Sequence, residues 1–421
     1  MNTIDTIDPF AGPGGWSVAA AALGLHEVGI ELDPHACATR AAAGHLTIRA
    51  DVAAMPTHRM VGKIRGLIAS PPCGTFSAAG KGEGIGDMPL IHQCLDDLTA
   101  GRDTRVQLAA ACSDPRTPLV AEPLRYALDL RPEWIALEQV PSVLPLWEHI
   151  ARILRSIGYS AWAGILNAAN YGVPQTRKRA ILIASRIRTA LPPEPTHYDP
   201  RKGLQLWGAP WVSMAEALGW GMTERPYFAL ATAGGRRGGA DEQVGGSGAR
   251  KSLYAERDRG AWVINVGAGG FAQGYERACE DPSPTIRQQS QSWVLRSGQT
   301  VAGIGRAERN MDEPAVSITG RADLNTWIQD RPATTVCATD RIAKPGHRDR
   351  KGSEAQFQGA VRISIQEAAI LQSFPADYPW QGTKTQAFMQ VGNAVPPLLA
   401  LHVLSAATGI AIAEHAAALS P

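Results

Sequence analysis

Residues 3–15 read TIDTIDPFAGPGG, and an alanine-rich run from Ser17 to Leu23 follows shortly afterwards, ahead of Gly24. Apolar and polar residues alternate over 3–8, which predicts a strand, and the glycines that follow predict a tight loop. The alanine-rich run predicts a helix that ends near Gly24, because glycine commonly stands just past the last residue of a helix. A strand, a glycine loop and a helix in this order are typical of the first unit of an α/β domain.

Further short strands are predicted downstream by apolar runs, namely Val28–Glu31, Gly66–Ser70, Trp134–Glu138 and Ala180–Ala184. Between Leu146 and Gly158 the apolar residues recur at helical spacing, which predicts a helix with one face on the core. Strands alternating with helices favour a largely parallel sheet. Residues 1–187 are therefore predicted to form an α/β domain.

From Leu191 onward, prolines, glycines and single tryptophans replace the apolar runs. A faint repeat at 281–286, 313–318 and 331–336 predicts short β-hairpins, although the loops could instead contact a ligand. We expect a separate, β-rich domain over residues 188–355. A capping box at Ser364–Glu367 and a last helix after Pro396 predict that residues 356–421 return to the first domain.

The composition excludes several classes of protein. The net charge is only +2, so the chain is not strongly basic as a whole, and any contact with nucleic acid must come from local clusters of basic residues. The six cysteines contain no CxxC pair, which argues against a zinc knuckle or a disulfide framework, and no metal is expected. The N-terminal residues lack the pattern of a signal peptide, and no apolar run reaches about 18 residues, so we expect a cytoplasmic protein without a membrane segment.

The glycine loop and Glu31, which lies near the end of the next predicted strand, form the first candidate site. The order Gly-Pro-Gly-Gly over 12–15 differs from the GxGxxG pattern that cradles phosphates, and Pro13 removes a backbone donor. A ligand with a ribose but no phosphate, such as S-adenosylmethionine, fits better, with Glu31 accepting hydrogen bonds from both ribose hydroxyls. Asp51 could then accept the adenine amino group, although an ordinary helix cap is the alternative.

A second group of candidates lies at other predicted strand ends. Cys73 follows two prolines in a stiff turn, where a lone cysteine would more commonly be an inert core thiol. Glu138 ends one strand, and Arg177 and Arg179 precede another; a surface carboxylate and solvated charges are the alternatives. All four residues are expected at one edge of the sheet, where α/β active sites lie.

In the order of its motifs the chain resembles the DNA (cytosine-5) methyltransferases. The matching segments are Asp8–Gly15, Glu31, Asp51-Val52, Pro71-Pro72-Cys73, Glu138-Gln139-Val140, Gln175–Arg179, Glu367–Pro375 and Val391–Pro397. The sequence departs from the family at Ser70 (usually glycine), Gly74 (usually glutamine) and Gln139 (usually asparagine). Residues 83–116 match the family poorly, and nothing is assigned there.

The resemblance implies a Rossmann-like S-adenosylmethionine-dependent methyltransferase domain with a mostly parallel twisted sheet, plus a smaller β-rich target-recognition domain. It makes Cys73 the nucleophile at carbon 6 of cytosine, Glu138 the partner of ring nitrogen 3, and Arg177 and Arg179 substrate-holding groups. Addition of a thiolate to carbon 6 makes carbon 5 nucleophilic enough to accept a methyl group. The cofactor pocket that it implies is lined by Phe10, Gly12, Gly14, Glu31, Asp51, Val52, Pro72 and Asn393.

The same resemblance implies that the target base is flipped out of double-stranded DNA and that the middle domain recognises the flanking bases. The densest basic run in the chain is expected to contact phosphates, with a solvated linker as the alternative: Arg341, Lys344, His347, Arg348, Arg350 and Lys351. We expect a monomer that protects bacterial or phage DNA, and a cognate restriction endonuclease is compatible with that function.

Three other functions remain open from the sequence. One branch of the family methylates tRNA, but its Cys-Phe-Thr signature is missing from the middle domain. A catalytically silent DNA-binding subunit would have lost Cys73 or Glu138, and both are present. A nucleotide-dependent oxidoreductase would need the GxGxxG loop that the chain lacks.

Overall fold

A computed structural model of the chain describes residues 4–72, 74–76, 83–200, 205, 207–212, 214–218 and 364–413, together with five short strands between 262 and 362. Its main feature is a sheet of seven strands, which lie side by side in the order β3-β2-β1-β4-β5-β8-β6. The strands are β1 (Thr6–Pro9), β2 (Glu27–Glu31), β3 (Thr47–Arg49), β4 (Gly66–Ala69), β5 (Trp134–Gln139), β6 (Ser160–Asn167) and β8 (Lys178–Ser185). The two-residue strand β7 (Gln175–Thr176) precedes β8.

The five strands from β3 to β5 run parallel to their neighbours, whereas β8 runs antiparallel to both β5 and β6. This arrangement confirms the predicted α/β fold with a mostly parallel sheet. The parallel strands all end at the same edge. Glu31, Ser70 and Glu138 therefore lie at or just beyond that edge.

Helices cover both faces of the sheet. The helices of the described residues are α1 (Gly15–Ala22), α2 (Pro34–Ala42), α3 (Glu83–Gly86), α4 (Met88–Thr99), α5 (Arg105–Ala111), α6 (Glu122–Leu130) and α7 (Leu144–Ser156), then α8 (Met214–Leu218), α9 (Ile365–Leu371), α10 (Lys384–Asn393) and α11 (Pro397–Thr408). Single 3₁₀ turns occur at Thr117–Ala121, Pro141–Val143 and Ala168–Tyr171. Helix α1 begins two residues before the predicted run, directly after the left-handed Gly14.

The buried side chains form one core on each face of the sheet. Leu67 and Trp147 lie in the first core and Ile68 and Trp16 in the second, so neighbouring residues of β4 point to opposite faces. Strands that are buried on both faces appear in a sequence as continuous apolar runs. This is why β4, β5 and β8 could be located from composition.

The C-terminal helix α11 packs in the second core, where Leu399 and Leu404 contact the same cluster as Trp16 of α1. Residues Lys384–Thr408 are long and apolar enough to cross a membrane by length and composition, and 83% of their most apolar window is buried inside the protein. The stretch comprises two helices, α10 and α11, separated by Ala394–Pro396. Core helices pass the same test, so the stretch is weak support for a membrane span.

The middle of the chain contributes short strands, namely β9 (His197–Tyr198), β10 (Ala209–Pro210), β11 (Trp262–Val266), β12 (Tyr275–Ala278), β13 (Ser283–Pro284), β14 (Val294–Ser297) and β15 (Val361–Arg362). Four of them form an antiparallel sheet in the order β12-β11-β14-β15. Strand β13 belongs to the first copy of the predicted repeat and pairs in parallel with β7. The second and third copies, 313–318 and 331–336, lie outside the described residues.

Candidate functional site

The glycine loop after β1 has a backbone that few residue types adopt. Phe10, Gly12 and Gly14 all have positive φ angles, of 65°, 53° and 109°. Positive φ is uncommon for a residue such as phenylalanine and marks a position held by its surroundings. The amide of Phe10 donates to the carbonyl of Ile30 over 3.0 Å, which ties the loop to β2.

The C-terminal segment lies directly against this loop. Tyr378 donates from its hydroxyl to the carbonyl of Pro13 over 2.6 Å. A β-carbon added to Gly14 would lie 2.7 Å from that hydroxyl, and one added to Gly15 would lie 2.0 Å from the carbonyl oxygen of Val395. Glycine is therefore required at both positions for the segments to pack.

Glu31 fixes the loop from the end of β2. Its Oε2 accepts from the amide of Gly12 over 2.8 Å, and its Oε1 accepts from the amides of Leu32 and Asp33, also over 2.8 Å each. A carboxylate oxygen can accept about two hydrogen bonds. Oε2 thus has room for a further donor beside the amide of Gly12, and the hydrogen bonds from the ribose hydroxyls to Glu31 stay a prediction.

Asp51 and Val52 follow β3. Asp51 is exposed, and its Oδ1 accepts a hydrogen bond from the amide of Ala53 over 2.9 Å. This local bond resembles the capping role that was the alternative to contact with adenine. The side chain of Val52 is buried in the first core, so its backbone is what it could present to a ligand. The carbonyl of Val52 accepts from Tyr126 and Arg125.

Cys73 lies outside the described residues, but both ends of its turn are held. Gln139 donates from Nε2 to the carbonyl of Pro71 over 2.8 Å, and Ser142 donates to the carbonyl of Phe76 over 2.7 Å. Sequence reasoning missed both roles, although the amide side chain directly after Glu138 was a usable signal. Pro72 is exposed beside this turn.

Ser70, another departure from the family, accepts a hydrogen bond from the indole of Trp16 over 2.9 Å. A glycine at that position would leave the buried indole donor without this acceptor. The hydroxyl therefore ties the end of β4 to α1. Gly74 has open space where a β-carbon would stand.

Glu138 and Arg179 lie together, as predicted from their strand ends. Nε of Arg179 is 2.7 Å from Oε1 of Glu138, and both side chains are 8% exposed. Arg179 also donates to the carbonyl of Lys178 over 2.8 Å. The pair places a carboxyl group and a guanidinium together on adjacent strands, β5 and β8.

Arg177 is placed differently. Its guanidinium is 1% exposed and donates to the carbonyls of Gly392 and Ala394, over 3.1 and 2.9 Å. These carbonyls end α10, where the helix dipole favours a cation. The structure thus brings Arg177 to the end of α10, and the same contacts flank the exposed Asn393.

A buried carboxyl group lies beneath the glycine loop. Asp8 is fully buried, and neither carboxyl oxygen has a hydrogen-bond partner. Burial raises the pKa of Asp8 well above its usual value, and Glu27 raises it further, whereas Arg40 lowers it. Arg40 is itself fully buried and pairs with Glu27 over 2.9 Å. Nothing in the spacing of these residues indicated the group.

The expected phosphate-binding run lies outside the described residues: Arg341, Lys344, His347, Arg348, Arg350 and Lys351. Within the part of the chain that the structure describes, no three His, Cys, Asp or Glu side chains are grouped in a way that could hold a metal ion.

Known proteins are similar to this chain in sequence or in fold. The Type II methyltransferase M1.HphI of Haemophilus parahaemolyticus is 25% identical, over 95% of this chain and 85% of that protein. The Type II methyltransferase M.XorII of Xanthomonas oryzae is 26% identical, over 94% and 82%. Among solved structures, the S. pombe Dnmt2 methyltransferase is similar in fold, with a TM-score of 0.51 and 13% identity over 97% of this chain and 99% of that chain.

Residues 4–93, 108–204 and 267–408 match the family described as C-5 cytosine-specific DNA methylase. The first gap in the match falls inside residues 83–116, the stretch to which the motif comparison assigned nothing. The matched segments include the glycine loop, the Glu138–Arg179 pair and the end of α10. The chain therefore belongs to the C-5 cytosine-specific DNA methylase family.

Proposed function

We propose that this chain methylates carbon 5 of cytosine in double-stranded DNA, with Cys73 as covalent nucleophile and S-adenosylmethionine as the methyl donor. The observation that carries the proposal is the buried Glu138–Arg179 pair beside a turn that Gln139 and Ser142 hold on both sides of Cys73. A carboxylate, a guanidinium and a cysteine are the groups that this reaction needs.

Each of these residues has a defined part. The Cys73 thiolate adds to carbon 6 of the flipped base, and the electron pair of the 5,6 double bond is released toward carbon 5. Glu138 takes part as the protonated acid: it donates a hydrogen bond to ring nitrogen 3 and so spreads the negative charge that the addition creates, while Arg179 keeps the carboxyl group in place. When bound, the cofactor supplies an electrophilic methyl group. Once carbon 5 carries the methyl group, its proton passes to water and the electron pair left behind re-forms the 5,6 double bond. The bond between carbon 6 and the Cys73 sulfur breaks in the same step, which regenerates the thiolate.

We propose a different part for Arg177, which acts as a positioning residue. Its Nη1 and Nη2 donate to the carbonyls of Gly392 and Ala394, on either side of Asn393. Gln372 donates to the carbonyl of Ala394 as well, over 2.8 Å. Both side chains therefore fix the residue that the family resemblance places in the cofactor pocket.

The residues at the other strand ends fit a nucleoside cofactor without phosphate. Glu31 keeps one acceptor position on Oε2 for a ribose hydroxyl, and the exposed Asp51 can accept from the adenine amino group. Phe10, Gly12 and Gly14 form the loop between them, and Val52, Pro72 and Asn393 complete the proposed pocket. The close packing of Tyr378 and Val395 behind the loop supports a preformed site.

We further propose that residues 1–187 form the catalytic domain, 188–355 the target-recognition domain and 356–421 a segment that returns to the catalytic domain. The antiparallel strands β11, β12 and β14 support the middle domain, and the packing of α11 on α1 supports the return of the last segment. The middle sheet also takes one short strand, β15, from the first residues of that last segment. Because the relatives are Type II methyltransferases, we propose that this chain serves a restriction-modification system, as a cytoplasmic monomer alongside a cognate endonuclease.

Sequencing of methylated cytosines tests the function directly. Plasmid DNA from a methylation-deficient host that expresses the chain should carry 5-methylcytosine at one recurring sequence, and DNA from a host expressing Cys73→Ser should carry none. In vitro, a duplex containing 5-fluorocytosine should trap the unaltered protein in a denaturation-resistant adduct when cofactor is present. Unmethylated plasmid would contradict the activity, and equal trapping of Cys73→Ser would contradict the nucleophile.

A further inference from the structure

Glu122, at the start of α6, joins two arginines in the interior. Its side chain is 2% exposed. Oε1 pairs with Arg105 of α5, and Oε2 pairs with Nε of Arg125 over 2.7 Å. A buried carboxylate is stable only when its oxygens are satisfied, and here both oxygens are.

Each of these arginines also donates to one loop, while Nε and Nη2 of Arg105 pair with Asp103. Arg125 donates to the carbonyl of Val52 over 2.8 Å and to that of Met55 over 3.4 Å, and Arg105 donates to the carbonyl of Ala53 over 3.3 Å. The hydroxyl of Tyr126 also donates to Val52, over 3.1 Å. Burial raises the pKa of Tyr126 to about 12, so the hydroxyl keeps its proton and remains a donor. We call Glu122, Arg105, Arg125 and Tyr126 the Glu122 cluster.

The loop that receives these bonds begins at Asp51. Residues 51–55 form neither helix nor strand but a turn, with one backbone hydrogen bond from the amide of Met55 to the carbonyl of Val52 over 3.3 Å. The carbonyls of Ala53 and Met55 depend on side-chain donors. Asp51 itself bonds to the amide of Ala53, whose carbonyl is held by Arg105. The position of the Asp51 carboxylate is therefore coupled to α5 and α6.

We infer that the Glu122 cluster is a positioning device that preforms the adenine subsite by holding the Asp51 loop. The inference rests on the proposed function, since it takes Asp51 as the acceptor of the adenine amino group. It gives a role to Arg105, which lies in the stretch of the chain that the family match leaves out. None of the four residues need touch the cofactor.

Binding of two cofactor products tests this inference by calorimetry. S-adenosylhomocysteine carries the 6-amino group of adenine, and S-inosylhomocysteine carries an oxygen in its place. Glu122→Gln should weaken binding of S-adenosylhomocysteine about tenfold, which corresponds to about 1.4 kcal/mol, and should leave the weaker binding of S-inosylhomocysteine unchanged. A merely structural role would weaken both ligands alike.

Glu133→Gln is the matched control, because Glu133 also pairs with an arginine, Arg65, but far from this loop in the fold. It should change neither affinity. Tyr126→Phe removes one hydroxyl and should weaken the binding of S-adenosylhomocysteine alone, about threefold. This variant replaces Glu122→Gln in the test if Glu122→Gln does not fold. The inference is overturned if Glu122→Gln leaves both affinities unchanged, or if it weakens the binding of both ligands by the same factor. If the unaltered protein binds neither ligand, the proposed cofactor fails, and this inference fails with it.

Discussion

Nε of Arg179 lies 2.7 Å from Oε1 of Glu138, and each side chain is 8% exposed. Two opposite charges taken out of water stabilise each other, but neither is tolerated alone. The pair is therefore needed for the stability of this edge of the sheet. It also contains the group, Glu138, that is proposed to contact ring nitrogen 3 of the base. Any change to one member has to be judged by stability and by activity.

Replacing Arg179 with glutamine should leave Glu138 buried without its counter-charge. We expect the free energy of unfolding to fall by about 3–5 kcal/mol, the usual cost of breaking a buried pair. Urea denaturation followed by circular dichroism measures this. The comparison is Arg65→Gln, whose arginine is 64% exposed in its pair with Glu133 and should change stability by less than about 1 kcal/mol. Equal losses in the two variants would mean that the Glu138 site is solvated.

The two arginines of residues 177–179 show where sequence reasoning stops. They are the same residue type two positions apart, and the family resemblance made both of them substrate-holding groups. Which of them meets Glu138 depends on the register of β8 against β5 and on where α10 ends, more than 200 residues later. Contacts between such distant segments leave no local pattern in the chain.

Strand β6 and the Glu122 cluster were missed for related reasons. Residues 160–167 are mostly half-buried at the edge of the sheet, so they show neither the apolar run of β4 nor a clean alternation. Glu122 and Arg125 are three positions apart, which is also the pattern of an ordinary exposed helix pair. The glycine loop, by contrast, was evident because its backbone angles themselves require glycine.

Acid should destabilise the protein in part through His402 of α11. Burial lowers the pKa of His402 to about 4, with His197 adding to the effect, and its ring lies against Tyr171. The unfolded chain takes up this proton near pH 6.5 and the folded chain only near pH 4. Stability is therefore full above pH 6.5 and is lost as the pH falls toward 4.

Denaturant titrations at several pH values measure this loss. His402→Gln should show a shallower decline between pH 6.5 and 4 than the unaltered protein, because one titrating group is removed. The exposed His58 provides the control, and His58→Gln should follow the unaltered protein. Parallel curves for all three proteins would show that His402 does not contribute to the acid response.

Glu31 is expected to serve both the cofactor and the loop that binds it. Glu31→Ala removes a charged acceptor of about 1.5–3 kcal/mol, so affinity for S-adenosylmethionine should weaken by roughly ten- to a hundredfold. The same change frees the amide of Gly12, which Oε2 now accepts over 2.8 Å. Glu31→Gln retains an amide oxygen in nearly the same place and should therefore keep the loop while weakening the ribose contact. Calorimetry should rank the unaltered protein first, Glu31→Gln second and Glu31→Ala last. An affinity of Glu31→Ala equal to that of the unaltered protein would remove Glu31 from the cofactor site, because neither the ribose contact nor the loop would then depend on its carboxylate.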